Sequence, residues 1–156
     1  MSRYGAAHCG EAARQAAEAW RAKDQNRFRA ASGRMLELIR DLDTLLALRR
    51  TVSEIVVSDA VEGYAVDLIR ATREHADLRL GASPRTSVAL FRASQAWAAL
   101  DGRGFVLPDD VVAVVRPVLG HRLLLDVDRE LRGATVERVL TEVLGSVSVP
   151  VPVPER

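Results

Sequence analysis

The chain has 156 residues, a formal net charge of +1, 48% hydrophobic residues and 28% charged ones, the balance of an ordinary globular protein and not of a disordered or fibrous one. Cys9 is the single cysteine, which excludes an internal disulfide, and His8, His75 and His121 lie too far apart in sequence for metal-ligand spacing. No apolar run approaches the ~20 residues of a membrane span, and the first residues lead into charged sequence instead of an apolar signal core; the expected setting is the cytoplasm.

Almost all of the basic residues are arginine; the only lysine is Lys23, set in Arg-Ala-Lys-Asp-Gln-Asn. A phosphate loop needs a lysine directly after its glycine-rich turn, so the sequence holds no Walker A motif. Residues 1–40 carry eight basic and four acidic side chains and read as a basic leader ahead of a mildly acidic body. Within the leader, Glu11 to Lys23 favours helix, but its apolar side is mostly alanine with Trp20, a weak amphipathic signal.

From Met35 the pattern tightens. Met35, Leu38, Ile39, Leu42, Leu45, Leu46 and Leu48 recur at three- and four-residue steps and predict a helix. Asp59 with Glu62 three residues later resembles a capping box, opening a helix to about Glu74 with Val61, Tyr64, Ala65, Leu68 and Ile69 on its buried side. Ser83-Pro84 reads as an N-cap followed by proline at the first helical position. That helix runs through Phe91 and Trp97, read as core, and stops near Asp101-Gly102. Pro108-Asp109-Asp110 starts another, its carboxylates read as caps and not as a catalytic pair, and Pro117 is expected to kink or end it. Leu123 to Leu125 reads as a brief extended run, Thr135 as the cap of a last helix from Val136 to Leu144, and residues 150–156 as an extended Pro-rich tail. The expected fold is all-α, a small helical bundle over residues 41–149 with little or no strand.

Five stretches stand in order along the body: Tyr64-Ala-Val-Asp-Leu-Ile-Arg-Ala-Thr-Arg73, Arg79-Leu-Gly-Ala-Ser-Pro-Arg85, Gly102-Arg-Gly-Phe-Val-Leu-Pro-Asp-Asp-Val111, Val118-Leu-Gly-His-Arg122 and Val139-Leu-Thr-Glu-Val-Leu144. In these, residues 41–149 resemble the C-terminal lid subdomain of MoxR-family AAA+ ATPases. The resemblance does not extend to the first 40 residues. In that family the lid follows an α/β core that holds the phosphate loop and magnesium ligands, so this chain reads as a truncated piece without its core. The resemblance implies that Arg85 stands at the sensor-2 position, where a lid arginine reaches the γ-phosphate of ATP, and that Gly81, Ala82, Ser83 and Pro84 form the nucleotide-binding turn that presents it.

The residues themselves fit that role. An arginine in the first turn of a helix faces the positive end of the macrodipole, unfavourable by about 0.3–1 kcal/mol unless an anion is near. Free N–H groups and a guanidinium fork together suit phosphate. An arbitrary Ser-Pro-Arg would be read as a solvated charge; the surrounding match favours the sensor. Arg79 could approach nucleotide or a neighbouring subunit, but a surface ion pair with Asp77 or Glu74 is the reading preferred; Arg70 and Arg73 are read as a solvated face, and His121 as a packed or capping histidine. Cys9 is given no catalytic role.

The function expected is therefore the lid portion of an ATP-driven, chaperone-like remodeller. ATP and Mg2+ are the cofactors of the full-length family, with none expected to bind tightly to this chain alone and no hydrolysis by it alone. Expected partners are AAA+ core or ring subunits and von Willebrand A-domain proteins. The alternative is a stand-alone helical interaction module that regulates an intact AAA+ ring. Nucleic acid is not expected, because the body is net acidic and no helix clusters base-reading residues.

Overall fold

The computed structural model describes residue 15 and residues 42–150. The sequence readings for the leader, including Cys9, Trp20 and Lys23, and for the tail beyond Pro150 lie outside the described residues. The chain divides into two units, one holding residues 42–56 and 96–105 and the other residues 57–95 and 106–150 of the described part.

In the first unit, helix α1 spans Leu42–Ser53. It closes on side chains that return to its own carbonyls: Thr51 Oγ1 donates to Ala47 O at 3.2 Å and Ser53 Oγ to Arg50 O at 2.7 Å. The leucine stripe is helical as expected, but Leu45 and Leu46 are 41% and 38% exposed, so this face is not core. Val56 N donates to Gly104 O at 2.9 Å within an isolated parallel bridge to Phe105. The same unit holds the end of helix α3, Pro84–Leu100. There Gly102 takes φ +73, while Arg103 N reaches Ala98 O and Gly102 N reaches Ala99 O, both at 3.0 Å. That pair of bonds is a Schellman closure, and it needs glycine at the left-handed position.

The second unit is built on helix α2, Asp59–Glu74. Its cap is Ser58, whose Oγ accepts from Val61 N at 3.4 Å; the expected Asp59–Glu62 box gives way to an N-cap one residue earlier, with both carboxylates in the first turn. Val61, Tyr64, Ala65, Leu68 and Ile69 are buried as their spacing predicts, and Thr72 joins them. The Tyr64 hydroxyl is buried without a partner among the described residues, and burial, then the Asp109 charge, pushes its pKa above the ordinary phenol value.

Helix α4, Pro108–Leu119, begins with proline at its first position. Its two acidic residues have separate roles. Asp109 is exposed, whereas Asp110 is 2% exposed and its Oδ2 accepts from Leu107 N at 2.7 Å. Pro117 stands inside the helix, which continues two residues further to Leu119 before a single 3-10 turn at Gly120–Arg122. Short helix α5, Val127–Leu131, is capped by Asp126. Helix α6, Val136–Ser146, is capped by Thr135, whose hydroxyl accepts from Arg138 N. Helices α2, α4 and α6 pack on one another around Leu68, Val111, Val115, Leu119, Val139 and Leu140, all at most 1% exposed. Phe91 and Trp97, read as core, are only half-buried; the core is mostly branched aliphatic, with Tyr64 its one buried aromatic among the described residues.

The one sheet among the described residues is a two-stranded antiparallel ribbon. Strand β1, Leu78–Leu80, pairs with β2, Leu124–Leu125, in the register Leu78 to Leu125 and Leu80 to Leu124. Asp126 N extends it by donating to Asp77 O at 2.9 Å. The expectation of a mostly helical bundle with little strand holds. No helix of the described residues is long and apolar enough to cross a membrane.

Candidate functional site

The segment from β1 to the start of α3 crosses the last turn of α2 at very short range. A Cβ placed on Gly81 would lie 2.5 Å from Thr72 O, 2.6 Å from Arg73 Cα and 2.7 Å from Arg73 N, so only glycine fits between these two backbones. The next residue is locked to the same turn. Thr72 Oγ1 donates to Ile69 O at 2.7 Å and accepts from Ala82 N at 3.0 Å, with Thr72 and Ala82 both buried. One hydroxyl thus satisfies a helix carbonyl and the turn's amide together.

From that anchor the chain enters α3. Ser83 occupies the capping position, its hydroxyl 3.1 Å from Thr86 Oγ1, and its carbonyl accepts from Thr86 N at 2.8 Å. Pro84 opens the helix, where its missing N–H costs nothing. Arg85 follows, exposed, in a first turn that holds no acidic residue. Its side chain forms no ion pair or hydrogen bond with another described residue. The five residues singled out from sequence, Gly81 to Arg85, are therefore held together as one rigid turn with the guanidinium directed to solvent.

Sequence reasoning missed the two residues that make the turn rigid or electropositive from outside it. Thr72 was passed over because a threonine inside a helix carries no distinctive signal. Arg73, read as part of a solvated face, lines a cavity against Gly81–Pro84, which Arg122 also borders. Arg70 does pair on the surface, with Asp67 at 3.3 Å. Arg79 does not form the ion pair expected of it: Asp77 faces Arg129 at 3.7 Å and Arg138 at 3.6 Å instead, because the ribbon brings α5 and α6 to that side. His121 is exposed, and its Nε2 accepts from Arg122 Nε at 3.1 Å; it is not packed. Among the described residues no group of His, Cys, Asp or Glu is placed to hold a metal ion.

The profile of the AAA lid domain family matches residues 70–143, a stretch that contains Thr72, the whole Gly81–Arg85 turn and Arg122. Chaperone MoxR1 of Mycobacterium tuberculosis is 34% identical over 115 residues, covering 68% of this chain, and protein MoxR of Paracoccus denitrificans is 38% identical over 107 residues, covering 60%. The chain carries an AAA lid domain of the MoxR type. The Bacillus subtilis protein YeaC is similar to the same region, 34% identical over 116 residues and 74% of this chain. The lid spans about a third of the length of these curated relatives, 36% of YeaC, 30% of MoxR1 and 32% of the Paracoccus protein. A crystal structure of a Cytophaga hutchinsonii protein thought to be an ATPase shares the fold, with a TM-score of 0.67 at 24% identity, over 76% of this chain and 43% of that one.

Proposed function

We propose that this lid closes over a nucleotide held by an AAA+ core and extends Arg85 to its terminal phosphate as the sensor-2 residue. The observation that carries the reading is Arg85 itself. It is an exposed cation at the start of α3 with no ion-pair partner among the described residues, in a position that the helix dipole disfavours unless an anion arrives. The turn that carries it is held close to α2: Gly81 passes the α2 backbone at a range only glycine allows, and Ala82 N donates to Thr72 Oγ1 at 3.0 Å. ATP with Mg2+ would supply the reactive phosphoryl group and its charge balance. The chain's own contribution is a guanidinium that binds and orients that phosphate as charge develops on it.

The partner implied is an AAA+ core, in the same polypeptide or in a neighbouring subunit of a ring, with von Willebrand A-domain proteins as companions. A second reading, a helical module that docks on an intact ring, draws on a different feature. A groove of about 190 Å³ between α2 and α3, lined by Ala65, Val66, Val88 and Phe91, leaves Val88 55% exposed, the kind of apolar surface that contacts a partner.

The deciding measurement is ATP turnover by a MoxR-type ring in which this lid serves the core. Arg85→Ala is expected to lower kcat on the order of 10³-fold or more without loss of ring assembly. Turnover unchanged by Arg85→Ala, with the lid assembled on the ring, would leave only the docking-module reading.

A further inference from the structure

Beside the Gly81–Pro84 turn lies a cavity of about 350 Å³, lined by Arg73, Leu80, Thr86, Arg122 and the turn itself. Arg85 is not on its wall, and neither is any carboxylate. This asymmetry follows from how the unit distributes its ion pairs. Asp67 is taken by Arg70, Asp77 by Arg129 and Arg138, and Glu137 by Arg116. Arg73 and Arg122 form no ion pair with a described residue. The bond Arg122 does make is to His121 Nε2, at 3.1 Å. Two arginines from distant parts of the chain thus line one cavity whose described lining holds no carboxylate.

The remaining wall is suited to the same ligand. Thr86 is 1% exposed, and its hydroxyl lies 3.1 Å from that of Ser83. The bond between them uses one of their two hydroxyl hydrogens and leaves the other to donate.

We propose that Arg73 and Arg122 make this cavity a phosphate-binding site, a second cationic arm beside the turn that carries Arg85. The lid would then hold oxyanions at two places along one turn. The inference rests on the nucleotide reading only for where the phosphate comes from; the binding chemistry is the same for a nucleotide phosphate and for free inorganic phosphate.

The test is calorimetric titration of the full chain at low ionic strength with sodium diphosphate, orthophosphate and ATP. Saturable binding of diphosphate is expected. Arg73→Gln and Arg122→Gln should each weaken it about tenfold, the scale of a lost charge-assisted contact, and Arg85→Ala should weaken it less than either. Tighter binding of ATP than of diphosphate assigns the site to nucleotide, and equal binding assigns it to the free oxyanion; both support the proposal. Unchanged affinity in Arg73→Gln and Arg122→Gln variants that melt like the parent overturns it, as does absence of saturable phosphate binding to the parent. Neither result touches the Arg85 reading, which stands or falls on ring turnover.

Discussion

Thr72 Oγ1 accepts the amide hydrogen of Ala82 at 3.0 Å while donating its own to Ile69 O at 2.7 Å. This single hydroxyl ties the end of α2 to the turn that presents Arg85. Replacing it by an isosteric methyl keeps the shape and removes both bonds. Thr72→Val should leave the buried Ala82 N–H without a partner and cost about 1–3 kcal/mol, read as a lower urea midpoint at constant slope. Thr72→Ser, which retains the hydroxyl, should lose less than Thr72→Val; equal losses would show that volume and not the bond matters.

Gly81 bears on the same junction through space. The 2.5–2.7 Å distances from a hypothetical Cβ end on backbone atoms of Thr72 and Arg73, which cannot rotate away as a side chain tip would. Gly81→Ala should therefore force the turn off the helix and destabilise the fold by about 1–3 kcal/mol, the range for overpacked sites. Gly145→Ala is the control: Gly145 lies within α6 and a Cβ there meets nothing within 4 Å, so alanine should be neutral or stabilising. A matching drop in both melting temperatures would argue against the close approach.

Much of this junction was legible in residue order, and the rest was not for physical reasons. Ser83-Pro84-Arg85 announces a helix start through local chemistry, and α3 begins at Pro84. The stripe from Val61 to Ile69 announces a buried face, and it is buried. Cap position was misread by one residue at α2 because Ser58 and Asp59 are both good caps and only geometry selects Ser58. The Leu42–Leu48 periodicity correctly gave a helix but not its environment, since Leu45 and Leu46 stay exposed. Arg73 and Arg122 meet across 49 positions of sequence at one cavity, and no spacing rule connects residues that far apart. Helix α5, at five residues, is too short to show a period.

The neighbouring carboxylates at the start of α4 should separate cleanly under mutation. Asp110 is buried and accepts from Leu107 N at 2.7 Å, whereas Asp109 faces solvent. Asp110→Ala leaves that amide unsatisfied and is expected to cost about 1–3 kcal/mol. Asp109→Ala removes only a favourable charge near the helix start, worth under about 1 kcal/mol. Thermal unfolding of the two variants side by side measures the difference, and comparable losses would refute the assignment of the cap to Asp110.

Stability should also depend on acid at the far end of the unit. Glu142 accepts from Arg138 Nε at 2.8 Å and meets His75 Nε2 at 3.1 Å, joining α6 to the end of α2. The Arg138 hydrogen bond, followed by that of His75, holds its carboxyl below the usual value of 4.5. A lowered folded-state pKa means a contribution fully present above about pH 4.5 and lost as pH falls through the lower native value. Glu142→Gln should therefore flatten the acid limb of the stability curve below that pH and reduce stability slightly above it. Because Glu142 is about half exposed, with a side-chain exposure of 47%, the effect should shrink in added salt. An acid limb identical in parent and variant would remove Glu142 from the account.

The last expectation concerns what the lid does without a core. Arg85 is exposed and has no ion-pair partner among the described residues, yet phosphoryl transfer draws most of its rate from aligning the nucleophile, phosphate and metal together. This chain's sequence offers no lysine-bearing phosphate loop, its one lysine being Lys23 outside any glycine-rich turn. The purified chain with Mg2+ and ATP should release no phosphate above the uncatalysed background. When a MoxR-type core is supplied, turnover should appear and should respond to Arg85→Ala far more than to Arg79→Ala, whose side chain lies on the ribbon and not in the turn. Magnesium-dependent turnover by the chain alone that disappeared in Arg85→Ala would mean that the lid carries a complete active site, contrary to the half-site proposed for it.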